Sequence, residues 1–353
     1  VSRRLRESIC RKDPHAVSDE GNRNTNASDP EDTKRFSNPS MRIDCSIIIC
    51  TRNRATTLER TLHSFRSVKV PDGWAVELIV ADNGSTDETA GVVGAASQPA
   101  MEIRHVFQPR PGKSRAQNAA VAQARGEVLL FTDDDVEPAV SWLENMARPV
   151  LDGGYDAAAG RILLADDVRR PWFTNLHAIW LAEAGKLEDF SPELIGASMA
   201  IHRTVFDRIG CFDEELGPGA SGFGEETLFW QQMKEAGMRI HPVNDTFVIH
   251  HPDTSRLLHS DWLDAAARRG RSMAYVQYHW EHRQVPHPSL CAFWVWLKLC
   301  LRRLTSDSVR PDAEGCLDWE MSYVARLESF KAFIAESRRP RNYEFRGLRR
   351  KAS

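Results

Sequence analysis

The 353-residue sequence contains no apolar run long enough to cross a bilayer, and its cysteines offer neither a CxxC pair nor a zinc-like spacing. No GxGxxG dinucleotide signature follows its first predicted strand and it has no GxxxxGK[ST] loop, which disfavours a Rossmann dehydrogenase and a P-loop enzyme. Neither charge sign is in excess: 46 basic against 49 acidic residues leave a net charge of -3. That balance suggests no polyanion ligand, so no nucleic-acid partner is expected. The seven cysteines are an odd number without a framework, which predicts a reduced, cytoplasmic setting. Arg3, Arg4 and Arg6 are not followed by an apolar core of signal-peptide length, so no secretion signal is expected.

The chain does contain a strand-helix rhythm. Residues 1 to 42 are polar, without apolar periodicity, and read as a disordered leader. From Ile43 an α/β domain is expected to run to residue 255. Its strands are predicted at Ser46–Cys50, Val76–Val80, Ile103–Phe107 and Glu127–Thr132. The helices between them are marked by capping boxes at Thr56/Glu59 and Ser85/Glu88, and by Ser114–Arg125 ending at Gly126. Such alternation predicts a Rossmann-like, mainly parallel sheet with helices on both faces and ligands beyond the carboxyl ends of its strands. Thr51, Arg52, Asn53, Asp82, Asp133, Asp134 and Asp135 all fall there. Asp133 to Asp135 form the most informative stretch, since three consecutive anions after an apolar strand need a cation. Strand alternation would turn Asp133 and Asp135 to one side, where they could share a metal ion that holds a diphosphate. An acidic turn before a helix is the plainer reading of the same three residues.

Several ordered motifs between Cys45 and Ser272 carry a resemblance: IIICTRNR at 47–54, VADNGSTDET at 80–89, PGKSRAQNAA at 111–120, FTDDDVEP at 131–138 and GFGEETLFW at 222–230. In this order they resemble family 2 glycosyltransferases, nucleotide-sugar enzymes with a GT-A fold. The resemblance implies that Thr51 and Asp82 contact the donor nucleoside, with Arg52, Asn53 and Asp134 in the same binding set. It also implies that Asp133 and Asp135 form a DXD motif, with Asp135 the direct ligand of manganese or magnesium. An Asx-turn is the structural reading of Asp82. Gln117 stands where the family usually has Arg, and Arg115 at the helix N-terminus is a candidate replacement; a solvated helix-face arginine is its other reading. The segment Gly196–Ala200 with Gly210–Glu214 is similar to the floor of the family's sugar site. Glu226 maps to the catalytic base, with Glu225 a competitor, although either could serve only to favour a helix N-terminus. His250, rather than His251, maps to a metal-proximal histidine or else is a hydrogen-bonding surface residue.

Beyond residue 256 the sequence reads helical, as an extension to about 305 followed by a further helix and a basic tail from 306 to 353. Leu290, Phe293, Trp294, Leu297 and Leu301 recur at helical spacing beside Arg302 and Arg303. This pattern, with the basic residues from Arg338 to Lys351, suggests either peripheral contact with an anionic membrane or a core helix and a solvated tail. The expected reaction is inverting transfer of a sugar from a nucleoside-diphosphate sugar to a hydroxyl acceptor, a glycan, a glycolipid or a small molecule. A noncatalytic sugar-nucleotide or glycan-binding subunit and a sugar nucleotidylyltransferase are the alternatives.

Overall fold

The computed structural model describes residues 43–185, 192–306 and 313–351, so the expected leader lies outside the described residues. Eight strands form one sheet: β1 Cys45–Thr51, β2 Val76–Asp82, β3 Glu102–Phe107, β4 Val128–Asp133, β5 Val136–Pro138, β6 Ala157–Leu164, β7 Met199–His202 and β8 Ile240–His250. Their order across the sheet is β3-β2-β1-β4-β7-β6-β8-β5. The half that carries the sequence motifs, β3 to β4, is wholly parallel. The other half is mixed, because β7 pairs antiparallel with β4 and β6, and β5 pairs antiparallel with β8.

Helices cover both faces. They are α1 Ala55–Ser64, α2 Thr89–Ala95, α3 Lys113–Gln123, α4 Trp142–Leu151, α5 Asn175–Trp180, α6 Arg203–Ile209 and α7 Glu225–Glu235. Alternation along β1 assigns the two cores: Ile47 and Ile49 join Leu58 of α1 and Trp142 of α4, whereas Ile48 joins Ala120 of α3 and Phe229 of α7. At the amino ends of the strands the fully buried Glu77 accepts from Ser46 Oγ (2.7 Å), Arg104 Nη1 (2.7 Å) and Arg125 Nε (2.9 Å). One carboxylate thus joins β1, β2, β3 and the entry to β4.

The expected capping boxes do not form. The helix α1 begins at Ala55 with its amide on Asp87 Oδ2, and α2 begins at Thr89, whose amide and hydroxyl both donate to Asp87 Oδ1. One aspartate from the β2 loop therefore does the work assigned to two boxes. Gly126 is not a helix terminator either: α3 ends at Gln123, and a Cβ on Gly126 would overlap the Ser46 backbone.

Three long helices follow: α8 His259–His279, α9 Pro288–Thr305 and α10 Asp318–Glu336. Gly270 lets α8 and α10 meet closely, since a Cβ there would overlap the Ala325 carbonyl. The basic tail is not a solvated arm. Arg339 and Arg350 pair with Glu215, Arg350 also reaches Asp213, Arg346 pairs with Glu235, and Lys351 pairs with Glu344. Two tyrosine hydroxyls, Tyr275 and Tyr343, each donate to the buried Asp213 Oδ2 at 2.6 Å. The tail is consumed in holding the C-terminal segment to the loop after α6.

Candidate functional site

The carboxyl ends of β1, β2 and β4 lie side by side, with Thr51 opposite Asp82 and Cys50 opposite Asp133. Their loops are laced to one another. Asn53, in the left-handed region at φ 51°, accepts from the Thr86 amide (2.8 Å) and donates its own amide to Ser85 Oγ (3.0 Å). Asn83 Oδ1 accepts from the Gly112 amide (2.8 Å), which ties the β2 loop to the start of α3. Asp82 Oδ1 caps its own loop by accepting from the Ser85 amide (2.8 Å), while Oδ2 lies 3.1 Å from His105 Nε2. Asp82 therefore makes the turn and presents a buried carboxylate at the crevice.

The three aspartates do not share one side. β4 ends at Asp133, Asp134 and Asp135 form a turn, and β5 starts at Val136, so strand alternation does not extend to Asp135. Asp134 is drawn inward: it accepts from Thr51 Oγ1 (2.6 Å) and pairs with Arg54 Nη1 (2.5 Å). Burial pushes its carboxyl up to about 7, against the pull of Arg54 and with the repulsion of Asp135. Asp135 pairs with Arg54 Nη2 (2.9 Å) and faces His250 Nε2 at 3.3 Å. Burial opposes its charge, yet His250 and Arg54 outweigh burial and hold this carboxyl below its usual range.

The residues around Asp135 fit a divalent cation. Asp135 Oδ1 is buried with no hydrogen bond made to it. The other nitrogen of His250, Nδ1, lies 2.9 Å from the Leu181 carbonyl, which can only accept, so Nδ1 carries a proton. Nε2 is then the ring nitrogen that faces Asp135 Oδ1, and the two are placed to share a cation. Imidazole with carboxylate is a donor set suited to manganese. His251 is half-buried beside Glu137 at 3.7 Å and does not enter this cluster.

Across the crevice stands Lys113, the first residue of α3. Its Nζ lies 3.0 Å from Asp133 Oδ1, 3.2 Å from Glu226 Oε1 and 3.8 Å from Glu225 Oε1. Burial disfavours its charge, but these three carboxylates hold the ammonium well above its ordinary range. The two glutamates open α7 and differ in environment. Glu225 is almost fully buried, and burial followed by repulsion from Glu226 pushes it up to about 8. Glu226 retains 17% side-chain exposure and lies against Gly196, where a Cβ would overlap Oε1 and approach the carboxyl carbon to 3.1 Å. The absence of a side chain at Gly196 is what makes room for the Glu226 carboxylate.

Of the segment Gly196–Ala200, expected with Gly210–Glu214 to floor a sugar site, Met199 and Ala200 open the central strand β7 and Gly196 precedes it at the crevice, while Gly210–Glu214 follows α6. The Gly-rich loop before α7 is pinned rather than loose: Pro218 O accepts from the Lys113 amide, Leu216 O accepts from Ser114 Oγ, and Phe223 N donates to Ser272 Oγ. Arg115 does not enter the site. It pairs with Glu214 at 2.9 Å, because two helical positions turn a side chain about 200° from Lys113. Gln117, four positions from Lys113, lies beneath the site with its Oε1 buried and unpartnered. Arg52 is exposed at the rim. Arg54 and Lys113 are thus the cations that the acidic cluster required, and both stood inside motifs already singled out.

Residues 46–210 match the family model described as glycosyl transferase family 2. A probable glycosyltransferase of Bacillus subtilis is 28% identical over 186 residues, covering 48% of this chain and 43% of that protein. A pre-mycofactocin glycosyltransferase of Mycobacterium tuberculosis is 28% identical over 246 residues, covering 67% and 48%. The chain therefore spans less than half the length of these two relatives. Among solved structures, a mannosyltransferase from Pyrobaculum calidifontis in complex with GDP-Man and Mn2+ covers 85% of this chain and 76% of its own at 19% identity, with a TM-score of 0.49. The segment similar to glycosyl transferase family 2 holds β1 to β4 with their loops, the Asp133–Asp135 turn and the Gly196 approach, which are the parts of the α/β sheet that form the crevice.

Proposed function

We propose that this chain transfers a sugar from a nucleoside-diphosphate sugar to a hydroxyl acceptor with inversion at the anomeric carbon. The observation that carries the reading is the split of one crevice into two chemistries. On one side Asp135 and His250 offer an unsatisfied oxygen and a ring nitrogen; on the other Lys113 holds Glu226 at the edge of solvent. A divalent cation bound by Asp135 and His250, with Asp133 at the rim, would neutralise charge on the leaving diphosphate. Thr51 and Asp82 flank the place of the nucleoside, at the ends of adjacent strands.

Glu226 is the base in this reading and Glu225 is not. A base must reach the acceptor hydroxyl, and Glu226 is the accessible member of the pair. Glu225, pushed up to about 8, keeps its proton at neutral pH and cannot take another. Lys113 fixes the Glu226 carboxylate and lies similarly close to Asp133, so one ammonium bridges the two sides of the crevice. Transfer of the acceptor proton to Glu226 as the hydroxyl attacks from the face opposite the diphosphate gives inversion in one displacement.

The test pairs binding with turnover. Unfolding temperature is measured with a panel of nucleoside diphosphates, with and without manganese, for the parent protein, Asp135→Ala and Glu226→Gln. One diphosphate is expected to stabilise the parent only with metal, to fail on Asp135→Ala and to act normally on Glu226→Gln. The nucleotide so found is then offered as its sugar conjugates, and Glu226→Gln is expected to lose transfer by ~10² to 10⁴-fold. Donor binding without transfer in the parent would favour the noncatalytic reading, and pyrophosphate release from a nucleoside triphosphate would favour a nucleotidylyltransferase.

A further inference from the structure

The helix α9 is apolar on two opposite faces, and among the described residues only one of them is covered. Ala292, Val295 and Leu299 are buried in a small cluster with Leu327 of α10, against which Trp319 and Tyr323 also pack. Leu290, Phe293, Trp294, Leu297, Leu301 and Leu304 follow the i, i+3, i+4, i+7 progression through to the end of the helix, so they form one stripe within about 100° of arc. The stripe lies on the side away from α10. Trp294 is 52% exposed, Leu301 55% and Leu304 83%, with Trp296 also bare at its margin. Together these side chains leave several hundred Å² of contiguous apolar surface, roughly the upper end of what soluble monomers leave bare.

We propose that α9 docks this protein on an anionic lipid surface, lying in the plane of the membrane with this stripe against the acyl boundary. Two observations select that occupant. The helix carries no Asp or Glu, and although Arg303 is paired with Glu320 of α10 and Arg302 lies over the Trp319 ring, the exposed Lys298 stands beside the stripe and Arg302 keeps its charge without a carboxylate partner among the described residues, so this flank suits a negative surface. The exposed aromatic residues include two tryptophans, whose amphipathic rings favour the headgroup level. A second copy of the chain is a poorer match, because two such helices face to face would bring their basic flanks together with no carboxylate on α9 to offset them. Spanning is not the mode, since no helix among the described residues is long and apolar enough to cross a membrane. The basic tail, spent on Glu215, Glu235 and Asp213, is not the electrostatic anchor.

The experiment is flotation of the full chain with vesicles of phosphatidylcholine alone or mixed with phosphatidylglycerol. The parent is expected to float with the anionic vesicles and several-fold less at raised salt. The combined variant Phe293→Ser, Trp294→Ser, Leu301→Ser is expected to lose binding by at least about tenfold, with no fall in unfolding temperature, since the face toward α10 is untouched. Lys298→Glu should weaken binding while leaving the stripe intact. Failure of the parent to float, equal flotation of the combined variant, or equal binding to uncharged vesicles would overturn the proposal. So would light scattering that finds a parent dimer which the combined variant dissolves, since the stripe would then be an interface between copies.

Discussion

Replacing Glu225 by Gln should raise stability in a way that grows with pH. Glu225 is buried beside Glu226 and is pushed from its ordinary 4.5 up to about 8. A carboxyl whose folded value lies above its unfolded value keeps a proton in the native state that the unfolded chain has released. Stability therefore falls as pH rises from about 4.5 toward 8 and levels off beyond. At 1.36 kcal/mol per pH unit, this one group costs the parent about 3 kcal/mol between pH 5 and pH 8. Gln keeps the shape of the protonated acid and cannot ionise, so the variant should match the parent near pH 5 and exceed it by that amount at pH 8. For a chain of this size that difference is roughly 4 °C in unfolding temperature. Urea denaturation of both proteins at pH steps from 5 to 8, analysed as the difference between them, removes the titration of Asp134 and other common groups. Parallel stability curves, or a variant that loses ground as pH rises, would refute the assignment of Glu225 as a buried neutral acid.

Further outcomes follow from the same geometry. Gly196→Ala should push the Glu226 carboxylate off its place beside Lys113, which a substrate-turnover assay would register as a loss of ~10²-fold, with thermal unfolding close to the parent. Glu77→Ala leaves Arg104 and Arg125 without their shared carboxylate at the base of the sheet, and urea denaturation should show a loss of about 2 to 4 kcal/mol, moderated because both arginines are partly solvated. Glu77 itself is buried, but its hydrogen bonds hold its carboxyl below the ordinary value, so its contribution is full above about pH 4.5 and fades as pH falls. His250→Ala should weaken manganese-dependent stabilisation by nucleotide without abolishing it, since Asp135 remains; isothermal titration with manganese and the diphosphate reads this directly.

Much of the fold was legible in the chain because parallel strands buried on both faces leave continuous apolar runs. Cys45–Thr51, Val76–Asp82 and Val128–Asp133 all match such runs to within two residues. The site loops were legible for the same reason: in this architecture the carboxyl end of each strand must open on the crevice. Side-chain direction was another matter. Arg115 was a reasonable cation by composition, yet the helix phase that aims Lys113 into the site turns Arg115 to Glu214. Asp133 and Asp135 were expected on one side, but the chain turns after Asp133, and Arg54 draws Asp134 and Asp135 together instead.

The sequence by itself determined the order of the first four strands and their helices, the crevice at their carboxyl ends and the residue types in it, because periodicity and turn chemistry are local properties of a chain. Which of Glu225 and Glu226 is buried, which cation meets which carboxylate, and which face of α9 is bare depend on partners far away along the chain. Glu226 meets Lys113 across 113 positions, and Arg54 meets Asp135 across 81. Burial and charge at those places are set by what packs there, and only the tertiary structure decides that.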